Sequence, residues 1–252
     1  MNEIGLNCTN CGYNLTELMI GVLLGGAVLV GLIQIFASSR QSYEAQTNQY
    51  SIQQSGQFAL QFLAREIRQA GYVDKPWLGE TLSGIAGSSA DTGSAGDQLS
   101  IQYYSDRNCF GSKNPVVDDF GKAVFQLKKV RFALRENRRQ LTWWCAYGPV
   151  GEGPQVQVNN QTLVDGIESF QVLYGEDSDS DGYPDQWVNA GNWANAGNVA
   201  VITLAMLVAT GNAVQGGGSN NYTVLDYATG PIAGLGKHEI VQTTVALRNY
   251  LP

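Results

Sequence analysis

The chain has 252 residues, which is enough for one well-packed domain beyond a membrane segment but hardly enough for two. Apolar residues make up 44% of it and charged residues only 15%, and the formal net charge is −7 with no basic stripe. This balance excludes a nucleic-acid-binding surface, and the 30 Gly and 12 Tyr residues are typical of a β-rich, loop-rich extracellular domain.

Near the start of the chain, residues 18–37 form an apolar run without a formal charge. Its length matches the roughly 20 residues that a helix needs to cross a bilayer. The run is too long for an ordinary signal-peptide core and no small-residue cleavage site follows it, so it predicts one transmembrane helix. Glu17 directly precedes the run, where a carboxylate is costly unless it has a partner.

Beyond the membrane run, residues 38–72 are predicted to continue the same helix as its amphipathic half. Good helix formers predominate and Pro is absent. Apolar or small residues recur at spacings of three and four, at Ile52, Gly56, Ala59, Leu60, Leu63, Ile67 and Ala70. With Gly71 as a stop signal, the sequence predicts one helix from Asn14 to Ala70, roughly 85 Å long.

Residues 73–252 are predicted to form a β-rich head domain. A Gly/Ser-rich loop precedes seven predicted strands, at residues 98–105, 123–136, 140–147, 155–160, 166–175, 198–210 and 239–251. The run 199–209 is apolar enough to lie at the centre of a sheet, and no internal repeat is found. The predicted fold class is α+β, with a long N-terminal helix packed on an antiparallel β-sheet domain.

The segment after Gly12 reads Tyr-Asn-Leu-Thr-Glu-Leu. It resembles the prepilin cleavage motif of type IV pilins, in which Gly precedes an aromatic residue and Glu is fifth in the mature chain. Further stretches, at residues 56–72, 97–104, 108–111 and 243–249, resemble PilW-like minor pilins. The sequence is therefore identified as similar to PilW-like minor pilins over both ends and the middle of the chain, which implies a pilin-like fold.

The resemblance implies a leader peptide at residues 1–12, cleavage by prepilin peptidase after Gly12 and methylation at Tyr13. The transmembrane part of the helix would then be residues 13–37. The resemblance also implies that Glu17 pairs with the new α-amino group of Tyr13 or of a neighbouring subunit, because two opposite charges at low dielectric relieve each other's desolvation. An ordinary membrane anchor, with Glu17 at the level of the lipid headgroups, is the alternative interpretation.

The function implied by this resemblance is that of a minor pilin, a structural subunit that helps initiate type IV pilus assembly and lies near the tip. Its implied partners are other minor pilins, the major pilin, prepilin peptidase, the inner membrane and a candidate tip adhesin. It would lie in the inner membrane before assembly and in the extracellular pilus afterwards. The alternatives are a minor pseudopilin of a type II secretion system and a membrane-tethered calcium-binding adhesin or hydrolase. An enzyme is not favoured, since the sequence has no catalytic motif and its lone histidine, His238, is typical of a surface residue.

An acidic stretch at residues 176–187 follows the first half of the calcium-loop template D-x-[DN]-x-[DN]-G, with Gly182 at the turn. Hard Ca²⁺ needs six to eight oxygen ligands, which such a loop gathers. The twelfth position is Val188 and not the usual Glu, and a solvated acidic turn is the alternative. The predicted Ca²⁺ ligands are Asp177, Asp179, Asp181, the carbonyl of Tyr183, and Asp185.

The four cysteines fall into two pairs. Cys109 and Cys145 each lie beside a predicted strand in a part of the chain expected outside the cytoplasm, where disulfides persist, so a bridge between them is predicted. Two free buried thiols are the alternative. Cys8 and Cys11 form a C-x-x-C, but no second pair at zinc-ribbon spacing follows, and they precede the predicted cleavage site.

Overall fold

The computed structural model describes residues 14–75, 81–93, 96–149, 153–209, 220–232 and 237–249. The chain divides into two compact units, Met1–Thr47 and Asn48–Pro252. We call the second of these the head unit. The predicted leader, including Cys8, Cys11 and Gly12, lies outside the described residues, and so does Tyr13.

Helix α1 spans Leu15–Ile67, 53 residues without a break. It is long and apolar enough to cross a membrane, and none of its apolar window is buried. The helix ends at Ile67 and not at Ala70 as predicted, because the following residues form a turn in which Gly71 takes a φ of 78°. The side-chain amide of Asn249 donates to the carbonyls of the turn that follows α1, those of Arg68, Gln69 and Ala70, each at 3.3 Å.

The seven apolar or small residues predicted to recur from Ile52 to Ala70, which we call the stripe, are all buried in the head unit. Six of them lie on α1, and Ala70 follows its end. Gly56 marks a close approach of the helix to the sheet. A Cβ at this position would lie 3.0 Å from a Val241 methyl group and 3.4 Å from Val208. A larger side chain there would separate helix and sheet, which explains a glycine in the middle of a helix.

Ten strands form three sheets in the described part of the chain. The first is an antiparallel meander in the order β1-β2-β3-β4, formed by Gln98–Ser105, Gln126–Arg135, Gln140–Gly148 and Gln155–Asp165. The second has the order β10-β7-β5-β6, with β5 at Ile167–Glu176, β6 at Gln186–Val188, β7 at Val199–Ala209 and β10 at His238–Ala246. A short hairpin joins β8, Thr223–Val224, to β9, Tyr227–Ala228.

The α+β prediction is confirmed: the long helix packs on antiparallel sheets. The apolar strand β7 lies between β10 and β5, as its composition predicts. The division into two four-stranded sheets was not predicted, and neither were β6 and the β8–β9 hairpin. The last strand ends at Ala246 and not at residue 251.

The core of the head unit lies between α1 and the two larger sheets. Aromatic rings join the helix to the first sheet, where Phe62 meets Phe132 and Trp143 edge-on at 6.0 and 5.6 Å between centroids. Tyr174 of β5 packs edge-on against Trp193, which lies between β6 and β7, at 4.9 Å between centroids. Such pairs add about 0.5–1.5 kcal/mol each beyond their burial.

One charged group of α1 also faces this core. The Glu66 carboxylate is 4% exposed and accepts a hydrogen bond of 2.5 Å from the Tyr103 hydroxyl. The same carboxylate also forms ion pairs with Lys128 at 3.8 Å and with Arg65 at 3.2 Å. Glu66 therefore links the end of α1 to β1 and β2 through a buried polar network.

Asp97, just before β1, is a second buried carboxyl. It is 5% exposed, and one of its oxygens accepts the Val172 N–H at 3.0 Å. Burial raises the pKa of this carboxyl to about 6, although the Val172 N–H acts against the shift, and the charges of Asp91 and Asp226 add to it. The folded state thus favours the protonated form.

We therefore expect a pH-dependent contribution from Asp97. The folded pKa lies above the unfolded value of 3.8, so between these pKa values the folded state binds more protons than the unfolded state. Stability from this group is present at about pH 4 and lost as the pH rises through 6. Relative to an Asp97→Asn chain, the wild type should lose up to about 3 kcal/mol of unfolding free energy between about pH 4 and pH 7. Urea unfolding at several pH values measures the difference, and parallel stability curves for the two chains would contradict it.

Candidate functional site

The acidic loop, residues 177–185, joins β5 to β6. It is wound around the Asp177 side chain, which is fully buried and accepts the N–H of Ser180 at 2.7 Å and of Gly182 at 2.8 Å. The Asp177 N–H in turn donates to the carbonyl of Asn198 at 2.9 Å. Ser180 takes a φ of 64°, so the loop turns back and brings its later residues near the first.

Three of the four predicted carboxylates come together in this loop. Oxygens of Asp177, Asp179 and Asp185 all lie within 4.8 Å of one another. Asp181 lies outside this group, and its carboxylate accepts the N–H of Tyr183 at 2.8 Å. The Tyr183 side chain is exposed. The cluster offers only carboxylate oxygens, a donor set that suits a hard cation such as Ca²⁺ better than zinc.

The clustered charges affect Asp179. Its carboxylate accepts the N–H of Asp181, which acts to lower the pKa, but desolvation and the charges of Asp181, Asp185 and Asp177 together outweigh that bond. The pKa of Asp179 is therefore raised. A bound cation would reverse this repulsion, because an opposite charge favours the ionised form.

Two residues beside the loop behave differently from what the sequence suggests. Glu176 is fully buried, and its carboxylate is satisfied by the N–H groups of Ala194 at 2.9 Å and Asn195 at 3.1 Å and by the Gln186 side chain at 3.0 Å. These bonds fix the backbone at the start of the acidic loop. In the sequence, only the position of Glu176 at the end of a predicted strand could have indicated this role. Val188, at the twelfth position of the template, pairs with Tyr174 as part of β6.

The predicted bridge between Cys109 and Cys145 is present, with the two Cα atoms 5.9 Å apart. It ties the segment after β1 to the middle of β3. Both cysteines are buried, and the Cys109 N–H donates to the Gln157 side chain at 3.0 Å.

The interpretation of His238 as a surface residue is wrong. Its side chain is only 5% exposed, and Nε2 lies 3.8 Å from a Glu168 oxygen that also pairs with Arg139. The imidazole lies against the ring of Tyr222, at 5.3 Å between centroids. The first residue of β10 is therefore covered by the side chains of Glu168 and Tyr222.

Glu17 lies in the first turn of α1, and its N–H donates to the carbonyl of Asn14 at 2.9 Å. The amino end of a helix favours negative charge, so this position suits a carboxylate. The residues predicted to supply its partner, Gly12 and Tyr13, are outside the described part of the chain.

Residues 131–249 match the family model of the type IV pilus-assembly protein W, PilW. The PilW-like prediction is confirmed. The matched, PilW-like part of the chain contains the acidic loop, Cys145 and the Asn249 side chain that contacts the turn after α1.

Among solved structures, a type IV-like pilin from Thermus thermophilus is similar to this PilW-like chain. The two are 19% identical with a TM-score of 0.44, and the match covers 76% of this chain and 94% of that pilin. No match was found among curated proteins.

Proposed function

We propose that this PilW-like chain is a minor pilin of a type IV pilus, a structural subunit that helps initiate assembly and lies near the tip. The proposal is supported by two observations that occur together. The helix is uncharged over residues 18–37 and has a buried stripe further on, and residues 131–249 match the PilW family model. A chain built in this way is anchored by its helix and presents its head unit outside the membrane.

The proposed organisation is a leader at residues 1–12, a membrane part at 13–37, an amphipathic half at 38–72 and a head domain at 73–252. Before assembly the chain would lie in the inner membrane, and afterwards in the extracellular pilus with other minor pilins and the major pilin. Glu17 would align the subunit by pairing with an α-amino group made by prepilin peptidase. Since a carboxylate in a membrane is costly, this pairing would favour the assembled state.

Gene deletion tests the assembly role. We expect surface pili to be lost on deletion, restored by the wild-type chain, and not restored by a Glu17→Leu chain that reaches the membrane at normal level. Glu17→Asp keeps the charge and is the matched control, expected to restore part of the pili. Unchanged pili with a defect in protein secretion would instead favour a type II secretion pseudopilin.

Processing is expected to occur after Gly12. In cells with active prepilin peptidase, mass spectrometry of membrane-extracted protein should find an N-terminus at methylated Tyr13. Gly12→Val should retain the leader, because a side chain there does not fit a subsite that accepts glycine. An intact Met1 in the wild-type chain would refute the proposed cleavage.

The acidic loop is proposed to bind one Ca²⁺ through Asp177, Asp179 and Asp185. The supporting observation is the convergence of their carboxylate oxygens within 4.8 Å. Asp181 and the Tyr183 carbonyl, predicted from the template, would act as further or water-mediated ligands. Because Val188 cannot supply a bidentate carboxylate, we expect affinity near the millimolar range of extracellular modules.

Calcium should therefore stabilise the head unit by mass action. At about 10 mM Ca²⁺ and a Kd of about 1 mM, the gain is about 1.4 kcal/mol, or about 3–6 °C in Tm. Calorimetry with and without chelator measures it, and Mg²⁺ should substitute poorly because it prefers strict octahedral geometry. The response should fade as the pH falls, since protons compete for Asp179, whose pKa is raised.

Substitutions inside and outside the oxygen cluster of the acidic loop provide a matched comparison. Asp179→Ala with Asp185→Ala should abolish the calcium response. Asp181→Ala should weaken it less, because Asp181 lies outside the oxygen cluster. No change in Tm at 10 mM Ca²⁺ in the wild type would leave a solvated acidic turn as the better account.

A further inference from the structure

The connection between β1 and β2, residues 106–125, contains two tips of the same construction, and we call this segment the arm. The tips are Asn108–Ser112 and Asp118–Lys122. In each, the first side chain accepts the N–H groups of the third and fifth residues at 2.8–3.0 Å. The first N–H donates to the fifth carbonyl, and the fourth residue is a glycine with positive φ. The pattern Asn/Asp-x-Phe-Gly thus occurs twice, and each copy holds a phenylalanine in one defined position.

Both phenylalanines point away from the core. Phe110 is 69% exposed and Phe120 is 94% exposed, the highest value among the large apolar side chains of the described residues. Val116 and Val117, between the tips, are each more than half exposed. The arm is ordered by its own bonds, including one of 2.8 Å from the buried Asn114 side chain to the Val124 carbonyl. Apolar side chains fixed in water by such bonds indicate a contact surface.

A cleft of about 320 Å³ lies at the base of the same arm. Its lining contains two arginines and one aspartate, Arg68, Arg248 and Asp106, together with the aromatic residues Tyr72, Tyr104 and Phe125. The rings of Tyr72 and Phe125 are 5.8 Å apart between centroids. Since a cavity of about 150 Å³ accepts benzene, this cleft has room for one phenyl ring.

Charge distinguishes the two tips as occupants of this cleft. Arg68 and Arg248 are exposed and form no ion pair with any residue that the structure describes. The second tip contains Asp118, Asp119 and Lys122 and has a net negative charge, whereas the first tip contains no charged residue. Two arginines and one aspartate give the cleft a net positive charge, which only the second tip complements.

We infer that Phe120 of one copy of this chain enters the cleft of a second copy, with its two preceding carboxylates beside Arg68 and Arg248. A lipid surface is a weaker fit, because the arm has three acidic and three basic residues and the chain carries a net charge of −7. Any other protein would have to supply the aromatic, cationic cleft that this chain already has.

The tip and the cleft are different surface patches, so the contact between two copies is heterologous. A closed dimer forms only if each copy also places its own Phe120 in the cleft of the other. One ring and two charges make a small interface, which indicates a transient contact.

Disulfide trapping between two full-length copies with different tags tests the contact in membranes. One copy carries Phe120→Cys and the other Tyr72→Cys, so a dimer with both tags forms only between copies. We expect that dimer after mild oxidation. Phe110→Cys replaces Phe120→Cys in the matched control, which should give at least several-fold less of it. Absence of the Phe120 dimer, or equal yield from Phe110, would overturn the inference.

Charge exchange tests the electrostatic part of the contact with the same cross-link. Asp119→Lys in the first copy should reduce the cross-link several-fold, and Arg248→Glu in the second copy should restore it. Loss without restoration would overturn the inference. If Tyr72→Cys prevents folding, Gln69→Cys, at an exposed position of the same cleft, serves as the acceptor for the trapping test. The unsubstituted chain controls for cross-links through Cys8 and Cys11.

Discussion

Replacing Glu66 with Gln is expected to lower the unfolding free energy of the head unit by about 3–5 kcal/mol. Glu66 is the acceptor for Tyr103 and the partner of Lys128, whose side chain is only 11% exposed. Without the carboxylate, the Lys128 charge remains buried and uncompensated, and this is more costly than the loss of the pair itself. Urea unfolding of the full chain in detergent, followed by Trp fluorescence, measures the change, since all five Trp residues lie between positions 77 and 193.

A double variant separates the buried charge from the hydrogen bond. Glu66→Gln with Lys128→Met should recover much of the loss, because no unpaired charge is left in the core. Arg65→Ala is the matched control, since Arg65 also contacts Glu66 but is 64% exposed, and it should cost no more than about 1 kcal/mol. Equal effects of Glu66→Gln and Arg65→Ala would contradict the assignment of Glu66 as a buried anchor.

The pH dependence of the Glu66→Gln chain follows from Lys128. Desolvation lowers the pKa of Lys128, and the attraction of Glu66 only partly opposes this shift. A folded pKa below the unfolded value means that the unfolded state binds more protons in that interval, so stability rises with pH. Without Glu66 the shift should grow, and the variant should regain stability at alkaline pH relative to the wild type.

Local patterns predicted the elements well because their causes are local. The stripe from Ile52 to Ala70 repeats with the helical period, and it is the buried face of α1. Strand β1 occupies the predicted residues 98–105, where apolar side chains are flanked by turn-forming residues. The helix end was less predictable, because the turn that follows it is contacted by Asn249, which is 179 residues from Ala70 along the chain.

Features that depend on distant pairing were missed. Sequence patterning does not tell which strands share hydrogen bonds, so the seven predicted strands were not divided between sheets. The three-residue strand β6 is too short for alternation to be recognised, and it depends on pairing with the end of β5 at Glu176. The two tips of the arm recur only ten residues apart, well below the periods of 20–50 residues that indicate repeat architectures.

The candidate metal site was predicted in composition but not in detail. Aspartates at alternate positions before a glycine indicated an acidic loop, and three of the predicted ligands do converge. Asp181 lies outside their cluster, because the turn at Ser180 directs its carboxylate to the N–H of Tyr183. The template assumes a full loop with a terminal Glu, whereas this loop closes early on the strand that contains Val188.

Removing the disulfide is expected to have a comparably large effect on the head unit. Cys109 and Cys145 are 36 residues apart, and closing a loop of this size lowers the entropy of the unfolded chain by an amount equivalent to about 4 kcal/mol. A Cys109→Ala, Cys145→Ala chain should therefore lose about 2–4 kcal/mol of unfolding free energy. Reducing the wild type should cause a similar loss, and the alanine chain should not respond to reductant. A Cys8→Ser, Cys11→Ser chain is the matched control and should behave as the wild type.

The same bond should also limit the motion of the arm. Cys109 lies within the first tip and is fixed to β3 through Cys145, while its N–H is bonded to Gln157 on β4. After reduction only the hydrogen bonds hold this tip on the sheet, so protease cleavage after Arg107 or Lys113 should accelerate more than cleavage elsewhere in the head unit. Uniform acceleration would mean that the bridge acts on the unfolded chain alone. Selective cleavage would mean that it also keeps the Phe110 tip in position, since each tip is closed by only a few hydrogen bonds exposed to water.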